Sequence, residues 1–423
     1  MKKIAKSLIA AILGWQVRRL GKKSEFKVVA VAGSIGKTST KFAIANILSK
    51  QYKVRWQKGN YNDVVSVPLV FFDLPMPSVF NPLAWIITFL KIEMMLTQKY
   101  PADIVIVEIG TDFPGNIAQF KHFIHADVGV LTAITPEHME FFDDLDAVAR
   151  EELVIASMVD QLILNADLCD KKYLSSLEKY TTYGVNTQAD YRLGGLNHVP
   201  GGYDFTVSKH GKVILNERHA SVAETQLLSI TAAVAVADML GMGMQDIIKG
   251  IEAIKPVSGR MKRLEGINGS TILDDTYNAS PEATKAALDT LYKIRAPQKI
   301  ALLGNMNELG NYSKEAHTEI GAYCDSMQLD LVVTLGPDAN EFLAAAAEKA
   351  GCRVVRTETP YESAREIAKV LQKGALILAK GSQNKVFAEE AVKQLLANPE
   401  DAALLVRQTE YWIKTKQKSI GKP

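Results

Sequence analysis

"VVAVAGSIGKTSTKFAIANIL", residues 28–48, contains in order the pattern of an apolar strand, a glycine-rich turn and a helix. The turn GSIGKTS has the compact GxxGK[ST] spacing, because Val31 stands where the longer phosphate-loop pattern has its first glycine. Backbone N–H groups of such a turn surround a phosphate, a lysine reaches its outer oxygens, and a hydroxyl can ligate Mg²⁺. We therefore predict an ATP-binding P-loop made of six residues: Gly33, Ser34, Gly36, Lys37, Thr38 and Ser39.

Apolar runs alternate with helical patterns through the first half of the chain, the runs being KVVAVAG, ADIVIVEIG, DVGVLTAI and DQLILNA. Continuous apolar runs are typical of strands buried on both faces, so we predict a doubly wound, mainly parallel sheet of the α/β class. From about Ala189 to His219 the pattern changes to short alternating segments broken by glycines. This change predicts a small antiparallel β insert.

A second α/β series follows a stretch with proline and glycine at residues 255–259, and its runs are STILDD, KIALLGN, DLVVTLG, CRVVRT and ALILAKGS. It predicts a second, Rossmann-like α/β domain. We expect a basic amphipathic helix over residues 1–24, a central ATP-binding domain over residues 25–256, and a C-terminal domain with a basic tail over residues 257–423. The end of that tail is interpreted as frayed.

The composition is that of a globular protein, and any basic contact surface on it must be local. The 423 residues carry a net charge of +2, so no global basic field gathers nucleic acid, and we expect no nucleic-acid partner. The three cysteines, Cys169, Cys324 and Cys352, are far apart and form no CxxC pair for zinc or redox chemistry. We expect a monomer in a reducing cytoplasm.

The N-terminus places seven basic and no acidic side chains in its first 24 residues. Its apolar run from Leu8 to Trp15 is too short to span a bilayer, and no signal-peptide cleavage site follows it. Ile4, Leu8, Ile12 and Trp15 fall on one helical face, the pattern of a helix at an anionic membrane interface. A helix docked on its own domain explains the pattern equally well. The protein would then be cytoplasmic, with or without peripheral contact with the inner face of the membrane.

Another apolar stretch covers residues 78–100, and its helical pattern starts at Pro82. Lys91 and Glu93 interrupt it too soon for a membrane span, so we predict a packed helix. A second interpretation is that this stretch helps the first helix to contact lipid.

Polar residues at two strand ends are candidates for metal binding. Glu108 closes the apolar run ADIVIVE, at the edge where open α/β sheets bind ligands. A carboxylate there is costly unless a cation faces it, which favours Mg²⁺, although an ion-paired or capping glutamate is the alternative. His138 follows another such strand, expected beside the P-loop, but a lone histidine is usually structural.

Seven spaced motifs resemble those of the Mur ligases, in particular the members that add D-alanyl-D-alanine. The motifs are AGSIGKTSTK, GNYNDVVSVPL, VEIGTDFPGNI, ITPEHMEFF, GRMKRLEGINGSTILDDTYNASPEATKAALDTL, LLGNMNELG and LAKGS, and they extend from about Lys27 to Gln394. The resemblance implies that ATP activates the carboxylate of a muramyl tripeptide as an acyl phosphate, which the amine of D-alanyl-D-alanine then captures. It also implies Mg²⁺ and a site that closes when the two domains meet.

The same resemblance implies roles for individual residues. Lys37, His138, Glu152 and Lys380 would be catalytic. By motif position the metal ligands would be Thr38, Glu108, His138 and Glu152, the substrate contacts Asn60, Asn62 and Ser382, and the nucleotide contacts of the C-terminal domain Arg260, Asp275 and Asn278. Lys380 and Ser382 would face the phosphate or the incoming peptide, and Asp275 the ribose.

This chain departs from the family pattern at several positions. The family has a carbamylated lysine where this chain has Glu152, which would supply a carboxylate without CO₂, although the alignment also permits Glu151. The adenine motif HNxxN is altered, with serine at Ser229, and GDM has become GNM at Asn305. The loop after Asn62 is altered as well.

Only 32 residues precede Gly33, whereas family members place a uridine-nucleotide-binding domain there. We expect that domain to be absent, which would suit a lipid-linked substrate brought close by the basic helix. Two other functions remain open. One is a related ligase with another acceptor, of the polyglutamate or pseudomurein type, and the other is a nucleotide-gated scaffold with impaired catalysis.

Overall fold

The computed structural model describes residues 2–57, 59, 61–185 and 188–421, except for the side chains of Lys2 and Lys3. Asn60, a predicted substrate residue, lies outside the described residues. The chain forms two compact units. Unit 1 contains the residues up to Thr135 together with 144–220 and 226–254, and unit 2 contains 136–143, 221–225 and the residues from Lys255 onward.

Unit 1 is built on a single sheet. Within the described residues its strands are β1 (Lys27–Ala32), β2 (Val54–Arg55), β3 (Ile104–Glu108), β4 (Ala126–Leu131), β5 (Val159–Asn165), β6 (Thr181–Gly184), β7 (Tyr191–Val199), β8 (Gly202–Lys209) and β9 (Lys212–His219). Their order is β2-β3-β1-β4-β5-β6-β7-β8-β9. Neighbours pair in parallel from β2 to β7, and β7, β8 and β9 pair antiparallel. The predicted parallel sheet is confirmed, and the antiparallel hairpins extend its edge.

Helices cover both faces of this sheet. They are α1 (Lys2–Lys23), α2 (Lys37–Leu48), α3 (Val67–Phe72), α4 (Pro82–Leu96), α5 (Asn116–Phe120), α6 (Leu145–Glu152), α7 (Lys171–Leu174), α8 (Glu224–Met239) and α9 (Met244–Glu252). Successive β1 side chains alternate between two cores, because side chains of a strand point to opposite faces. Val28 and Ala30 join the core with α1, α3 and α4, whereas Val29 and Val31 join the core with α2, α8 and α9. This arrangement is doubly wound.

The N-terminal helix α1 is docked on unit 1 through a face different from the one that its sequence suggested. Leu13, Val17 and Leu20 are buried in the core that also contains α3 and α4. Ile4, Leu8 and Trp15, which the sequence placed on one face for either a membrane or a domain contact, are exposed, so this face is not the docked one. Among the described helices, α1 included, none is both long and apolar enough to cross a bilayer.

Unit 2 contains a second sheet. Its described strands are β10 (Lys262–Glu265), β11 (Thr271–Asp275), β12 (Lys299–Gly304), β13 (Leu331–Leu335), β14 (Val354–Thr357) and β15 (Leu376–Lys380). The order is β10-β11-β15-β12-β13-β14, and every pairing is parallel except that of β10 with β11. The helices are α10 (Pro281–Lys293), α11 (Ser313–Tyr323), α12 (Ala344–Lys349), α13 (Pro360–Val370), α14 (Glu389–Leu395) and α15 (Glu410–Ile420). The predicted second Rossmann-like α/β domain is confirmed.

Two short segments inside the predicted central domain pack with unit 2. In the segment 136–143, the backbone N–H of Glu140 donates to the carbonyl of Glu308 at 3.1 Å. In the segment 221–225, Glu224 forms an ion pair of 2.7 Å with Lys293. In the chain, both segments are flanked by residues of unit 1, and no change in the apolar pattern marks them. Their place in unit 2 was therefore not predictable from the sequence.

The three cysteines are reduced and buried. Burial raises the pKa of the Cys169 and Cys324 thiols to about 12, and it also raises the pKa of Cys352. Thiolate is the reactive form of cysteine, so burial and a raised pKa both make these three thiols less reactive than exposed ones.

Candidate active site

The P-loop joins β1 to α2 and rests against the end of β4. Gly33 has φ +122°, and a Cβ atom there would lie 2.4 Å from the Thr132 hydroxyl and 2.8 Å from the Ala133 nitrogen. Ser34 donates its N–H to the Ala133 carbonyl at 3.0 Å, and the Thr132 hydroxyl donates to the Ile35 carbonyl at 2.5 Å. Only glycine fits the first loop position, both for its backbone angle and for space. The loop is thus held in shape by the strand beside it.

The N-terminus of α2 is arranged to receive an anion. Gly36 precedes it with φ +84°, and no side chain of the described residues caps this end. The first N–H groups of a helix lack intrahelical partners and carry positive partial charge. The Lys37 ammonium lies over the loop, where it donates to the carbonyls of Gly33 and Ser34. The predicted P-loop residues are therefore gathered around one helix terminus.

Glu108 lies at the end of β3, which is paired directly with β1. Its carboxylate accepts hydrogen bonds from the Thr38 hydroxyl at 3.1 and 3.2 Å, and it forms an ion pair of 2.9 Å with Lys41. Lys41 is on α2, one turn after Lys37, and both charges of the pair are buried. Glu108 is therefore ion-paired with Lys41, and the same carboxylate lies beside the Thr38 hydroxyl, as the prediction of a metal ligand requires.

The donor set at Thr38 and Glu108 fits Mg²⁺. Across the described parts of the chain, no three or more His, Cys, Asp or Glu side chains cluster into a metal site. Mg²⁺ is usually held by only one or two carboxylates, with phosphates and water completing its shell. A hydroxyl and a carboxylate within hydrogen-bond distance of each other offer the hard oxygen donors that such an ion prefers. Bound there, Mg²⁺ would neutralise negative charge on ATP phosphates.

Asn62 lies beside the segment that follows Glu108. The Gly110 N–H donates to the Asn62 carbonyl at 2.9 Å, and a Cβ atom on Gly110 would lie 2.6 Å from the Asn62 side-chain amide. Asp63 then holds the next turn, because its carboxylate accepts from the N–H groups of Val65 and Ser66. The predicted substrate loop is therefore attached next to the metal-binding candidate.

The two candidates for the carbamylated-lysine position have different environments. The Glu151 carboxylate accepts from the N–H groups of Gly115 and Ile117, each at 2.6 Å, and thereby caps the start of α5. Glu152 is buried at the end of α6, and its charge helps to raise the pKa of Cys169. Glu151 is therefore held by backbone N–H groups, and Glu152 stays the predicted catalytic carboxylate.

Exchanging each glutamate for glutamine should separate these roles. Glu151→Gln should lower the free energy of unfolding by about 1–3 kcal/mol, because an amide cannot accept both backbone hydrogen bonds in the same way. Glu152→Gln should instead lower kcat by about 10²–10³-fold in a stably folded protein. Urea denaturation and phosphate release measure the two effects. A Glu152→Gln variant with the kcat of the wild type would remove the catalytic assignment.

His138 is grouped with unit 2. Its Nδ1 lies 2.9 Å from a carboxylate oxygen of Glu308, and the segment around it is also joined to Glu308 through Glu140. The hydrogen bond from His138 lowers the pKa of Glu308. The His138 backbone has φ +55°, a conformation uncommon outside glycine. Its predicted role in metal binding and catalysis stays a prediction.

Unit 2 brings together three of its predicted site residues at the ends of β11 and β15. The Lys380 ammonium donates to the Asp275 carboxylate at 2.5 Å and to the Asn278 carbonyl at 3.0 Å. Asp275 and Lys380 are directly opposite in the strand register. Asp275 also accepts from the Met261 N–H at 3.1 Å, which fixes the chain next to Arg260. Asp275, Asn278 and Lys380 therefore form one cluster, the Asp275 cluster, in which Asp275 and Lys380 are buried and Asn278 is half-buried.

Ser382 and Asp274 have structural partners around this cluster. The Ser382 hydroxyl donates to the Ala279 carbonyl at 3.1 Å and accepts from the Asn307 N–H at 2.9 Å. Asp274 is fully buried, which raises its pKa to about 6, and it accepts hydrogen bonds from Gly259 and Thr276. Neither Asp274 nor Asp275 caps α10, whose N-cap residue is Ser280.

Sequence reasoning missed Arg407. Its guanidinium donates to the carbonyls of Thr276 and Tyr277, at 2.5 and 3.1 Å, and pairs with the buried Glu389 carboxylate at 2.8 Å. Lys416 of α15 also pairs with Glu389, at 3.0 Å, and is itself buried. The supposedly frayed tail therefore anchors the segment between Asp275 and Asn278. No sequence signal marked it, because this partner lies about 130 residues away in the chain.

Removing Arg407 should weaken nucleotide binding. Arg407→Ala takes two hydrogen bonds from the segment that carries Asp275, so we expect KM for ATP to rise roughly tenfold, or about 1.4 kcal/mol. The value of kcat at saturating ATP should change less, because Arg407 acts through other residues. Arg353→Ala, at an exposed site of the same unit, is the control. Equal KM values for both variants would assign Arg407 a purely structural role.

The chain is similar to known proteins over most of its length. Profiles of the Mur ligase middle domain and of the Mur ligase glutamate ligase domain match residues 87–237 and 259–383, and together they span more than half of the chain. The UDP-N-acetylmuramoyl-tripeptide--D-alanyl-D-alanine ligase of Bacillus subtilis is 27% identical over 88% of this chain and 76% of its own length. The corresponding Synechocystis ligase is 28% identical over 91% and 77%.

A solved structure shows the same fold. The crystal structure of MurF ligase from Thermotoga maritima in complex with ADP superposes with a TM-score of 0.75 at 24% identity, covering 93% of this chain and 84% of that one. The P-loop of unit 1, the Asp275 cluster of unit 2 and the two matched domain profiles lead to one family. This chain belongs to the Mur ligases.

Proposed function

We propose that this protein joins D-alanyl-D-alanine to a muramyl tripeptide in peptidoglycan precursor synthesis, at the expense of ATP. The relatives from Bacillus subtilis and Synechocystis bear the name of that reaction. The observation that carries the proposal is the P-loop, with Lys37 at a helix N-terminus and Glu108 beside Thr38. This geometry suits phosphoryl transfer, in which catalysis consists mainly of positioning and charge neutralisation.

The proposed reaction has two steps. The tripeptide carboxylate attacks the γ-phosphorus of ATP, and the bond from this phosphorus to the β,γ-bridging oxygen breaks. ADP is the leaving group, and the tripeptide becomes an acyl phosphate. The amine of D-alanyl-D-alanine then attacks the acyl carbon, inorganic phosphate leaves with the C–O bonding electrons, and the amine loses a proton. Lys37 and the N-terminus of α2 hold the phosphates in the first step.

The remaining residues receive roles in the same proposal. Mg²⁺ would be held by Thr38 and Glu108, with Glu152 and His138 as further candidate ligands. In unit 2, Asp275 would bind the ribose, with Arg260 and Asn278 at the nucleotide. Lys380 and Ser382 would contact the phosphate or the incoming peptide, and Asn60 and Asn62 the acceptor peptide.

We infer a cytoplasmic monomer, since the reaction consumes ATP and uses intracellular precursors. Residues 1–24, with seven basic side chains, would contact the inner face of the membrane. Such a location suits an acceptor carried by either a nucleotide or a lipid.

A product analysis tests the proposal. The purified chain is incubated with ATP, Mg²⁺, D-alanyl-D-alanine and a panel of muramyl tripeptides, and the products are weighed by mass spectrometry while phosphate is measured. We expect one amide product, whose mass equals acceptor plus dipeptide minus water, and one phosphate released per product. Extension by glutamate instead would indicate the polyglutamate-type alternative. A chain that binds ATP but releases no phosphate with any acceptor would be a scaffold.

A further inference from the structure

Unit 1 carries a large exposed apolar surface on α4 and α1, which we call the apolar ridge. Each of its side chains is between 45% and 76% exposed, and they are Phe80, Leu83, Ile86, Ile87, Leu90 and Met94 at α4, and Ile4, Leu8 and Trp15 on α1. Largest apolar patches on soluble monomers measure about 300–600 Å² and are often functional. A surface with nine large exposed apolar side chains therefore indicates a binding site for a partner.

The ridge on α4 is a complete helical face. Leu83, Ile86, Ile87, Leu90 and Met94 follow the i, i+3, i+4, i+7, i+11 spacing that aligns residues on one side of a helix. The opposite side, which includes Trp85, Ile92 and Leu96, is buried in the core of unit 1. The helix is therefore apolar on both sides, whereas a helix facing water normally has a polar outer face.

The α1 residues continue the same surface. Gln16 contacts the Phe89 carbonyl and Glu93, and Lys23 contacts the Leu96 carbonyl, so α1 runs alongside α4 in the same direction. At about 100° per residue, Ile4, Leu8 and Trp15 project away from the face of α1 that is buried in unit 1, and toward the outer side next to α4. The two helices thus form one ridge.

Basic side chains border the ridge, and its one acid is neutralised. Arg18, Lys22 and Lys91 are exposed on the two helices. Glu93 is the one acidic residue of the two helices, and both of its carboxylate oxygens accept from a single Arg19 nitrogen, at 2.6 and 2.8 Å. Hydrogen bonds from Gln16 and Arg19 lower its pKa. The border is therefore positively charged.

We propose that the apolar ridge docks unit 1 on a membrane surface rich in anionic phospholipid, with α4 and α1 lying in the plane of the interface. Exposed apolar and aromatic side chains bordered by lysine and arginine are the features of a helix that lies at the lipid headgroup level. A positively charged border favours this occupant over an apolar surface of a second protein. The inference extends the proposed location and is independent of the proposed reaction.

Vesicle binding tests the proposal with three forms of the full chain: the wild type, a triple variant and a control variant. The triple variant combines Leu83→Gln, Ile87→Gln and Leu90→Gln, since glutamine keeps the helix while removing apolar surface. The control is Met327→Gln, an exposed apolar site in unit 2. Sedimentation with vesicles of phosphatidylglycerol and phosphatidylcholine measures the bound fraction, and phosphatidylcholine vesicles measure the need for anionic lipid. Circular dichroism checks folding.

We expect the wild type and Met327→Gln to bind anionic vesicles equally, and the triple variant to bind at least about tenfold more weakly. Binding to phosphatidylcholine alone should be weak for all three. Wild-type chain that stays in solution, or a triple variant that binds like the wild type, would overturn the proposal. So would a dimer in analytical ultracentrifugation that buries the ridge without vesicle binding. Phosphate release with a water-soluble acceptor should be equal in all forms, so a failed ligase assay is distinguishable from failed docking.

Discussion

Lys37→Ala is expected to lower kcat for phosphate release by about 10²–10³-fold, while the fold is retained. The Lys37 ammonium lies over the P-loop carbonyls of Gly33 and Ser34, at the N-terminus of α2. In this position its charge can follow the negative charge that develops on the transferred phosphoryl group. Alanine has high helix propensity, so α2 should form normally.

Lys50→Ala is the matched control, because Lys50 is an exposed lysine just after the same helix. Steady-state phosphate release with ATP, D-alanyl-D-alanine and a tripeptide acceptor measures both variants, and ADP binding by calorimetry shows whether ground-state affinity changes as well. A Lys37→Ala variant as active as Lys50→Ala would mean that the P-loop does not carry the chemistry. The proposed function would then have to be abandoned.

Lys41→Met is expected to cost about 3–5 kcal/mol of unfolding free energy, the largest stability effect that we predict. Its ammonium is the buried partner of the Glu108 carboxylate at 2.9 Å, and removing it leaves an uncompensated charge inside unit 1. Replacing both members of a buried pair by neutral groups is often nearly neutral. The double variant Lys41→Met with Glu108→Gln should therefore recover most of the loss in stability.

Urea denaturation followed by tryptophan fluorescence suits this cycle, because Trp15, Trp56 and Trp85 lie in unit 1 and only Trp412 lies in unit 2. The double variant should be inactive, because Glu108 is also the proposed Mg²⁺ ligand. If it is as unstable as the single variant, then Lys41 contributes through packing and not through its charge. Recovered stability together with full activity would exclude Glu108 from metal binding.

Local sequence patterns predicted most of the fold. Continuous apolar runs identified β1, β3 and β4, and the glycine-rich change near Ala189 identified β7, β8 and β9. These are short-range signals, so they can be read from neighbouring residues. The face on which α1 docks was not predictable in this way. Gln16 is buried there because Glu93 and the Phe89 carbonyl accept its hydrogen bonds, and those partners lie over 70 residues away.

The same difference between local sequence patterns and long-range contacts applies to the candidate site. The motifs located the P-loop, Glu108, Asp275 and Lys380, and the structure places each group at strand or helix ends. The motifs could not distinguish Glu151 from Glu152, which are adjacent in sequence. Only tertiary hydrogen bonds show that the first of them caps α5.

The burial of the three native cysteines has a practical consequence for labelling this protein with dyes. New cysteines introduced on the surface would be exposed, unlike the three buried native thiols, so maleimide dyes should attach to the new ones preferentially without replacement of the native residues. Lys50 in unit 1 and Met327 in unit 2 are exposed positions for such a pair. Energy transfer between dyes on the two units would then test whether their separation changes when ATP and acceptor are added.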